Sequence, residues 1–296
     1  MKHFLEISQL SKEEINSLLN RALYFKKSKE FPHYPMHTVA TLFYENSTRT
    51  RLSFELAAKK LGMTTLNFDV QHSSEAKGEE IEDTLQTLAA MGIDLFVLRH
   101  RQDGLPAELA ANLKDSTHII NAGDGQHAHP SQAMLDLLTI KEKKPQFNEL
   151  KIAIIGNIRH SRVANSLRRL FAEIQVKDLM LIAPEIWQPE ELFFGRKTNS
   201  LREGLAEADV VICLRVQHER LMENEQFDLT LFRNNYALTK ETIRFAKHDA
   251  LIMHPGPINR GVEIDSEVAD GPQSCILQQV NNGVYMRMAI LESLVR

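Results

Sequence analysis

Short apolar runs alternate with segments of helical period along nearly the whole chain, and that alternation leaves few folds open. Residues 38–43 (TVATLF), 93–98 (IDLFVL), 151–155 (KIAII) and 209–214 (DVVICL) are aliphatic or β-branched at most positions. Runs this brief and this continuously apolar suit strands buried on both faces of a parallel sheet, because a sheet with one wet face reads as strict alternation. Parallel neighbours need crossover connections, which the helical segments between the runs supply.

The order of elements follows from period and punctuation. Residues 8–28 carry a capping box, Ser11 with Glu14, ahead of Ile15, Leu18, Leu19, Ala22 and Leu23 at helical spacing. Strand 38–43 leads to a helix over 52–61, a weaker strand over 63–70, a helix at about 80–91, strand 93–98, a helix at about 104–113 and a strand over 117–122. A helix over 130–144 is closed by Pro145, and a second α/β series begins. It comprises strand 151–155, helix 162–173, strand 178–182, helix 203–208, strands 209–214 and 250–253, and a last helix over about 282–295. Residues 221–236 show no clear period and are expected to form a mobile loop. At 296 residues the chain exceeds one domain of usual size. The expectation is an α/β protein of two domains, 1–132 and 133–296, each a mainly parallel sheet flanked by helices. The last helix is expected to pack back on the first domain.

Composition removes several function classes. A formal net charge of −4 gives no support for a nucleic-acid partner. Cys213 and Cys275 lack CxxC spacing, so neither a structural disulfide nor a cysteine zinc site is expected, in keeping with a reducing compartment. There is no continuous apolar leader at the N-terminus and no run of membrane-spanning length, so a cytoplasmic location is expected and no membrane partner.

The polar residues are not scattered. Clusters at 47–51, 73–77, Arg99, 123–129, 159–162, 215–220 and 254–260 each follow a strand, and nearly every one contains Arg, Lys or His. Ligands of parallel α/β sheets bind at the carboxyl ends of strands, and the planar donor fork of Arg matches carboxylate or phosphate. A site for a polyanionic substrate, or for two anions, is therefore expected. In the first cluster, Ser47-Thr48-Arg49-Thr50-Arg51, open N–H groups and the macrodipole of a helix start coincide with hydroxyls and guanidiniums. Taken alone, a helix cap with solvated arginines would explain that stretch equally well. Competing ligands fit poorly. Residues 152–156 look like a dinucleotide-binding strand, but Asn-Ile-Arg-His-Ser follows where further glycines are needed. His127 and His129 lack a third metal ligand at useful spacing, and His127 and His160 are read as cap or surface residues.

The segments FYENSTRTR (43–51), Ser73 with KGE (77–79), Arg99-His100, NAGDG (121–125) with HPSQ (129–132), SRV (161–163), RVQHERL (215–221) and HPGPINRG (254–261) together resemble the aspartate/ornithine carbamoyltransferase family, in the family's order. The segments typical of the ornithine branch, an Asp near Ser-Met-Gly and a His-Cys-Leu-Pro, do not occur. Arg162, Arg215 and Gln217 suit the two carboxylates of aspartate and would repel the ammonium of ornithine. The resemblance implies the carbamoyltransferase fold, with a carbamoyl phosphate-binding first domain and an aspartate-binding second domain. It implies carbamoyl transfer from carbamoyl phosphate to L-aspartate in pyrimidine (UMP) synthesis, by a homotrimer, with no metal and no cofactor.

By the same resemblance, Ser47, Thr48, Arg49 and Thr50 hold the phosphoryl group, and Arg99, His129 and Thr50 direct donors at the carbamoyl oxygen. Gln132 and the backbone of Gly256 and Pro257 orient the carbamoyl NH2, while Lys77, Arg162, Arg215 and Gln217 bind aspartate. Ser73 and Lys77 come from the neighbouring subunit, and domain closure joins the two anion sites. No general base stands out; the departing phosphate is expected to take the proton. Two alternatives stay open from the residues alone: a non-catalytic assembly or regulatory chain of the same family, and a carbamoyltransferase acting on another amino acid. Nothing in the sequence decides whether regulatory chains or dihydroorotase join the trimer.

Overall fold

The computed structural model describes residues 1–70, 73, 78–113, 116–216 and 228–296. Lys77 and Gln217 lie outside the described residues. The chain divides into two compact units, residues 1–138 with 280–296, and residues 139–279.

In the first unit, β1 (Thr38–Phe43), β2 (Thr64–Phe68), β3 (Leu95–His100) and β4 (His118–Asp124) form one sheet in the order β2-β1-β3-β4. Every pairing is parallel, with Leu42 opposite Phe68 on one side and Leu98 on the other. Ala40 and Leu42, Phe96 and Leu98, and Ile119 line one face and pack with Leu85 of α3 (Ile81–Ala90) and Leu105 and Leu109 of α4 (Leu105–Ala111). Val39, Leu95, Val97 and Ile120, which point to the other face, are also fully buried. Burial on both sides is what the near-continuous apolar runs demand. Each large aliphatic side chain removed from water contributes about 1.5–3 kcal/mol.

Helix α1 (Lys12–Ser28) begins as the capping box requires. The Glu14 amide donates to Ser11 Oγ at 3.2 Å, and the Ser11 amide donates to Glu14 Oε2 at 2.9 Å. Within this unit α1 is fastened to α10 (Ile276–Val295), because Arg21 forks onto the buried Glu292 at 2.5 and 2.6 Å and Tyr34 Oη donates to it at 3.0 Å. Burial raises the Glu292 proton affinity, but the bonds from Arg21 and Tyr34 outweigh it and hold the carboxyl below its ordinary range. Helix α2 (Thr48–Lys60) follows β1, and α5 (Pro130–Lys143) follows β4.

In the second unit, β5 (Lys151–Ile155), β6 (Asp178–Ile182), β7 (Arg196–Thr198), β8 (Val210–Cys213) and β9 (Leu251–Met253) form a parallel sheet in the order β7-β6-β5-β8-β9. Helices α6 (Arg162–Glu173), α7 (Leu201–Leu205), α8 (Leu229–Tyr236) and α9 (Ser266–Ala269) complete it. The α/β class with two parallel sheets is thus as the sequence led us to expect.

Four differences have physical reasons. Strand β7 was not anticipated: Arg-Lys-Thr is a short, charged edge, the composition that guards an open strand against further pairing. Residues 229–236, within the expected loop, form α8, which buries only Phe232 and Tyr236, too few for a visible period. Its start is set by Asp228, whose Oδ1 accepts from the Thr230 and Leu231 amides at 2.6 and 3.1 Å. The helix placed at 203–208 is α7, two residues earlier, because Ser200 caps it and accepts from the Glu203 amide at 3.3 Å. Finally, α10 starts at Ile276 and not at about 282. Its first turns carry Gln279 and Asn282, which are polar yet buried and bonded, to the His254 amide and to Lys26 Nζ respectively.

The end of β5 needs a glycine. Gly156 has φ +125°, and a Cβ there would lie 3.1 Å from Leu214 O, just beyond β8. Gly156→Ala is therefore expected to lose about 2–3 kcal/mol of unfolding free energy in a urea titration.

Candidate active site

Parallel sheets open a crevice where strand order reverses direction, since the loops after the two central strands leave to opposite sides. In the first unit that point lies between β1 and β3, and in the second between β5 and β8. Of the site residues expected from the sequence, Ser47 to Thr50 follow β1, Arg99 lies near the end of β3, and Arg162 and Arg215 follow β5 and β8, while His129 with Gln132 and Gly256 with Pro257 follow the neighbouring strands β4 and β9; each is described within its own unit.

In the first unit, Phe43 stands opposite Arg99, and the Tyr44 amide donates to Arg99 O at 2.9 Å. The chain leaving β1 is therefore held beside Arg99. Helix α2 starts with Ser47 as its extended N-cap residue, whose side chain makes no capping bond. The helix-cap alternative for this stretch therefore finds no capping bond from the Ser47 hydroxyl. The first turn of α2 carries no acid; it carries Arg49 and Arg51 instead. That is the wrong sign for a helix start unless an anion completes it, because the macrodipole puts positive potential there. By contrast, α1 has Glu13 and Glu14 in its first turn and α3 has Glu82 and Asp83. Thr48 and Arg49 are exposed, Ser47 half-buried and Thr50 buried. Arg51 points along the helix to Glu55, 3.8 Å away.

Arg99 is the second-last residue of β3, with its Nε 3.4 Å from Glu45 Oε2 and Nη1 3.5 Å from Ala122 O. The loop after β4 is organised by Asp124, which is 1% exposed. Its carboxylate accepts from the Gly104 and Ala128 amides at 2.7 and 3.0 Å and from Asn121 Nδ2 at 2.9 Å, and it pairs with His127 Nδ1 at 2.9 Å. Burial alone would raise the Asp124 proton affinity, but the bonds from His127, Asn121 and Gly104 prevail and hold it below the ordinary carboxylate range. His127 also faces Glu6 at 3.3 Å, so its ring serves this framework, as a non-catalytic reading requires. The loop delivers His129, buried at 4% exposure, whose carbonyl accepts from the Gln132 and Ala133 amides as α5 begins at Pro130. His129 and Gln132 thus enter the same end of the sheet as Arg99 and α2.

In the second unit, a small cleft is lined by Asn157, His160, Ser161, Leu214, Arg215 and Gly256, among others. Helix α6 again begins without an acid: Ser161 caps it, accepting from the Ala164 amide at 3.2 Å, and Arg162 is its first residue, 5% exposed. His160 is fixed by Asn157, whose Oδ1 accepts from the ring Nδ1 at 2.8 Å. The loop after β9 turns on His254. Its Nδ1 accepts from the Gly256 amide at 2.8 Å, which leaves the proton on Nε2 to donate to Glu263 Oε1 at 3.1 Å. Glu263 also accepts from the Asn259 amide at 2.6 Å, and Asn259 Nδ2 reaches Val216 O at 3.2 Å, tying this loop to the one bearing Arg215. Gly256 and the cis-linked Pro257 are held in this framework.

Not every charged strand end contributes. Arg159 is paired with Glu190, and Arg260 forks onto Asp270 at 2.6 and 2.8 Å, so these two clusters are less cationic than their sequence suggests. Ser73 folds back, its Oγ donating to Val70 O at 2.9 Å. The framework residues Asp124, Asn157, Asn259 and Glu263 were not singled out from the sequence. Only Asp124, inside a Gly-Asp-Gly turn, carried a visible signal.

Comparison with known proteins agrees with this geometry. Residues 2–142 match the aspartate/ornithine carbamoyltransferase carbamoyl-P binding domain, and residues 148–294 match the Asp/Orn binding domain of the same family. The chain belongs to the aspartate/ornithine carbamoyltransferase family. It is 66% identical to an aspartate carbamoyltransferase catalytic subunit of Legionella pneumophila, over 100% of this chain and 99% of that one. It is 46% identical to the Coxiella burnetii catalytic subunit, over 98% and 95%. Among solved structures, aspartate transcarbamoylase from Trypanosoma cruzi in complex with carbamoyl phosphate and aspartate is similar at TM-score 0.87 and 29% identity, covering 99% of this chain and 96% of that one. Ornithine carbamoyltransferase from Thermus thermophilus, at 23% identity and TM-score 0.89, covers 100% and 99% and shares the fold. Among the described residues no helix is long and apolar enough to cross a membrane.

The Asp124 framework makes a measurable demand. Asp124→Asn must turn an NH2 toward at least one donor, so about 2 kcal/mol of stability should be lost near neutral pH in a denaturant titration. The folded pKa is depressed. The contribution is therefore fully present above the unfolded carboxylate pKa of about 4 and disappears as pH falls through the folded value. The difference between the two proteins should narrow in acid.

Proposed function

We propose that the chain transfers the carbamoyl group of carbamoyl phosphate to the amine of L-aspartate, giving N-carbamoyl-L-aspartate and phosphate. The observation that carries this reading is the pair of acid-free, arginine-bearing helix starts, α2 and α6, one at the reversal point of each sheet. Two anionic substrates call for two such places. The 66% identity to a catalytic subunit bearing that activity in its name supports the same reaction.

In the first unit, which takes carbamoyl phosphate, Ser47, Thr48, Arg49 and Thr50 hold the phosphoryl group with their side chains and the amides of the α2 start. Arg99, His129 and Thr50 donate to the carbonyl oxygen of the substrate. When the aspartate nitrogen adds to the carbonyl carbon, negative charge grows on that oxygen. Donors already aimed there stabilise the addition without reorganising. The C–O bond to phosphate then breaks, and the leaving phosphate takes the proton released by the amine. In the second unit, Arg162 and Arg215 bind the two carboxylates of aspartate. Arginine forks suit carboxylates and disfavour the ammonium side chain of ornithine. Gln217 and Lys77, both outside the described residues, join this set on the strength of the sequence match.

The working unit we propose is a cytoplasmic homotrimer in which Ser73 and Lys77 complete a neighbour's site, acting early in pyrimidine synthesis. A non-catalytic chain of the same family is the second reading, and a purified protein without turnover would favour it.

Arg49→Ala should lower carbamoyl-aspartate formation by at least about a hundredfold, since it removes a charged phosphate donor. Wild-type rates in that variant, or citrulline formed from ornithine by the wild type, would overturn the assignment. Mixing Arg99→Ala with Lys77→Ala chains under conditions of subunit exchange should restore part of the activity; no restoration despite exchange would count against shared sites.

A further inference from the structure

A carboxamide has no preferred polarity of its own. Its oxygen and nitrogen are nearly the same size, so a Gln that must accept a hydrogen bond from a substrate needs something to hold it the right way round. Gln132 has such a support. Its Nε2 donates to Asp136 Oδ1 at 2.9 Å, one turn further along α5, and both residues are buried. An ionised carboxylate offers acceptors only, so the amide nitrogen is committed to Asp136 and the oxygen is turned to the opposite side of Cδ.

The carboxylate lies in the field of a buried cation. Arg287 of α10 is 3% exposed, and its guanidinium interacts with Asp136. Burial pushes the Arg287 pKa down to about 9, and the charge of Asp136 opposes that shift. Two features reserve the space. The guanidinium carbon stands 4.9 Å over the Phe54 ring of α2. One turn before Arg287, Gly283 lacks the Cβ that would fall 2.6 Å from Arg287 Nη1. A buried carboxylate bonded to the glutamine, a buried cation whose field reaches it, an aromatic face and a helical glycine thus lie behind Gln132.

We propose that Asp136, backed by Arg287, sets the polarity of Gln132 so that it presents its oxygen to the acyl group and selects a substrate bearing N–H. This rests on the reading above that Gln132 meets the carbamoyl NH2. Both are positioning residues, acting through Gln132. Acetyl phosphate is the natural probe, because its methyl group replaces the NH2 at almost the same size and offers no donor. A site that presents a desolvated acceptor disfavours such an analogue.

The experiment compares the KM of carbamoyl phosphate with the Ki of acetyl phosphate in the full-length protein, as a ratio that does not depend on how much of the protein is active. Asp136→Asn can turn an NH2 on Gln132, the orientation in which its oxygen stays in the positive field of Arg287, so the preference for carbamoyl phosphate should fall about tenfold. Gln132→Ala should lose it to a similar degree. Arg287→Lys should keep the preference and Arg287→Gln should lower it, which tests the pair even if the asparagine variant fails to fold. Retention of the preference in Asp136→Asn, or equal loss in both arginine variants, would overturn the proposal while leaving carbamoyl transfer intact if Gln132→Ala has lost it. If Gln132→Ala keeps the preference, the role of Gln132 falls, and this proposal falls with it.

Discussion

A parallel sheet cannot wind in one direction for ever. Where it reverses, two neighbouring strands send their loops to opposite sides and leave a gap that no side chain of the sheet itself can fill. In this chain the gap occurs at β1/β3 in one unit and β5/β8 in the other, and the arginine-bearing starts of α2 and α6, with Arg99 and Arg215, lie at the ends of those strands. The strand ends place them, and the helix starts give them their sign. A helix that opens with Arg49 and Arg51, or with Arg162, forgoes the acid that would normally steady its first turn. The omission costs stability in the empty protein, and under the proposed function an anion makes it good. On that reading, affinity for phosphate and carboxylate follows from how the two sheets are wound.

The arginines alone would make a sticky surface with little geometric discrimination. On the proposed reading, geometric discrimination comes from buried acceptors that hold the site residues in place. Asp124 gathers two amides, an Asn and a His around the turn that delivers His129. Glu263 holds His254 and the Asn259 amide, which shapes the turn containing Gly256 and Pro257. Asp136 holds Gln132. Each carboxylate is buried and accepts from at least one fixed donor, an arrangement strongly directional in a medium of low dielectric. Exposed pairs such as Arg260 with Asp270 give nothing comparable, since water screens them and the long side chains lose entropy.

These two layers were unequally legible in the sequence. The central strands and the helices that follow them were visible, because burial on both faces writes a continuous apolar run and because capping residues such as Ser11 mark helix starts. Elements at the margin were not: β7 is an edge strand of Arg-Lys-Thr, and α8 buries too little to show a period. The start of α10 is hidden in the sequence because Gln279 and Asn282 are polar residues satisfied inside the fold, so they interrupt the apolar pattern without being exposed. Among the site residues, arginines could be placed at strand ends by pattern alone. Whether each was available could not, since the carboxylates that occupy Arg159 and Arg260 are distant in sequence or carry no motif. The supporting carboxylates were the least visible, because an Asp that accepts four bonds is spelled like one that points at water.

That last point bears on how such a site tolerates change. The arginines proposed to bind the anions would act by charge, so their loss should be felt directly in the substrates they hold. The supporting residues act by fixing a direction: the side that Gln132 presents, the tautomer of His254, the path of the turn before His129. Direction is lost all at once when a carboxylate becomes an amide, because an amide must offer a donor where only acceptors fit. The same substitution leaves volume almost unchanged. Packing and polarity are therefore separable in this protein. Asp124, Asp136 and Glu263 are the places where a change invisible to the core would be most visible to the reaction.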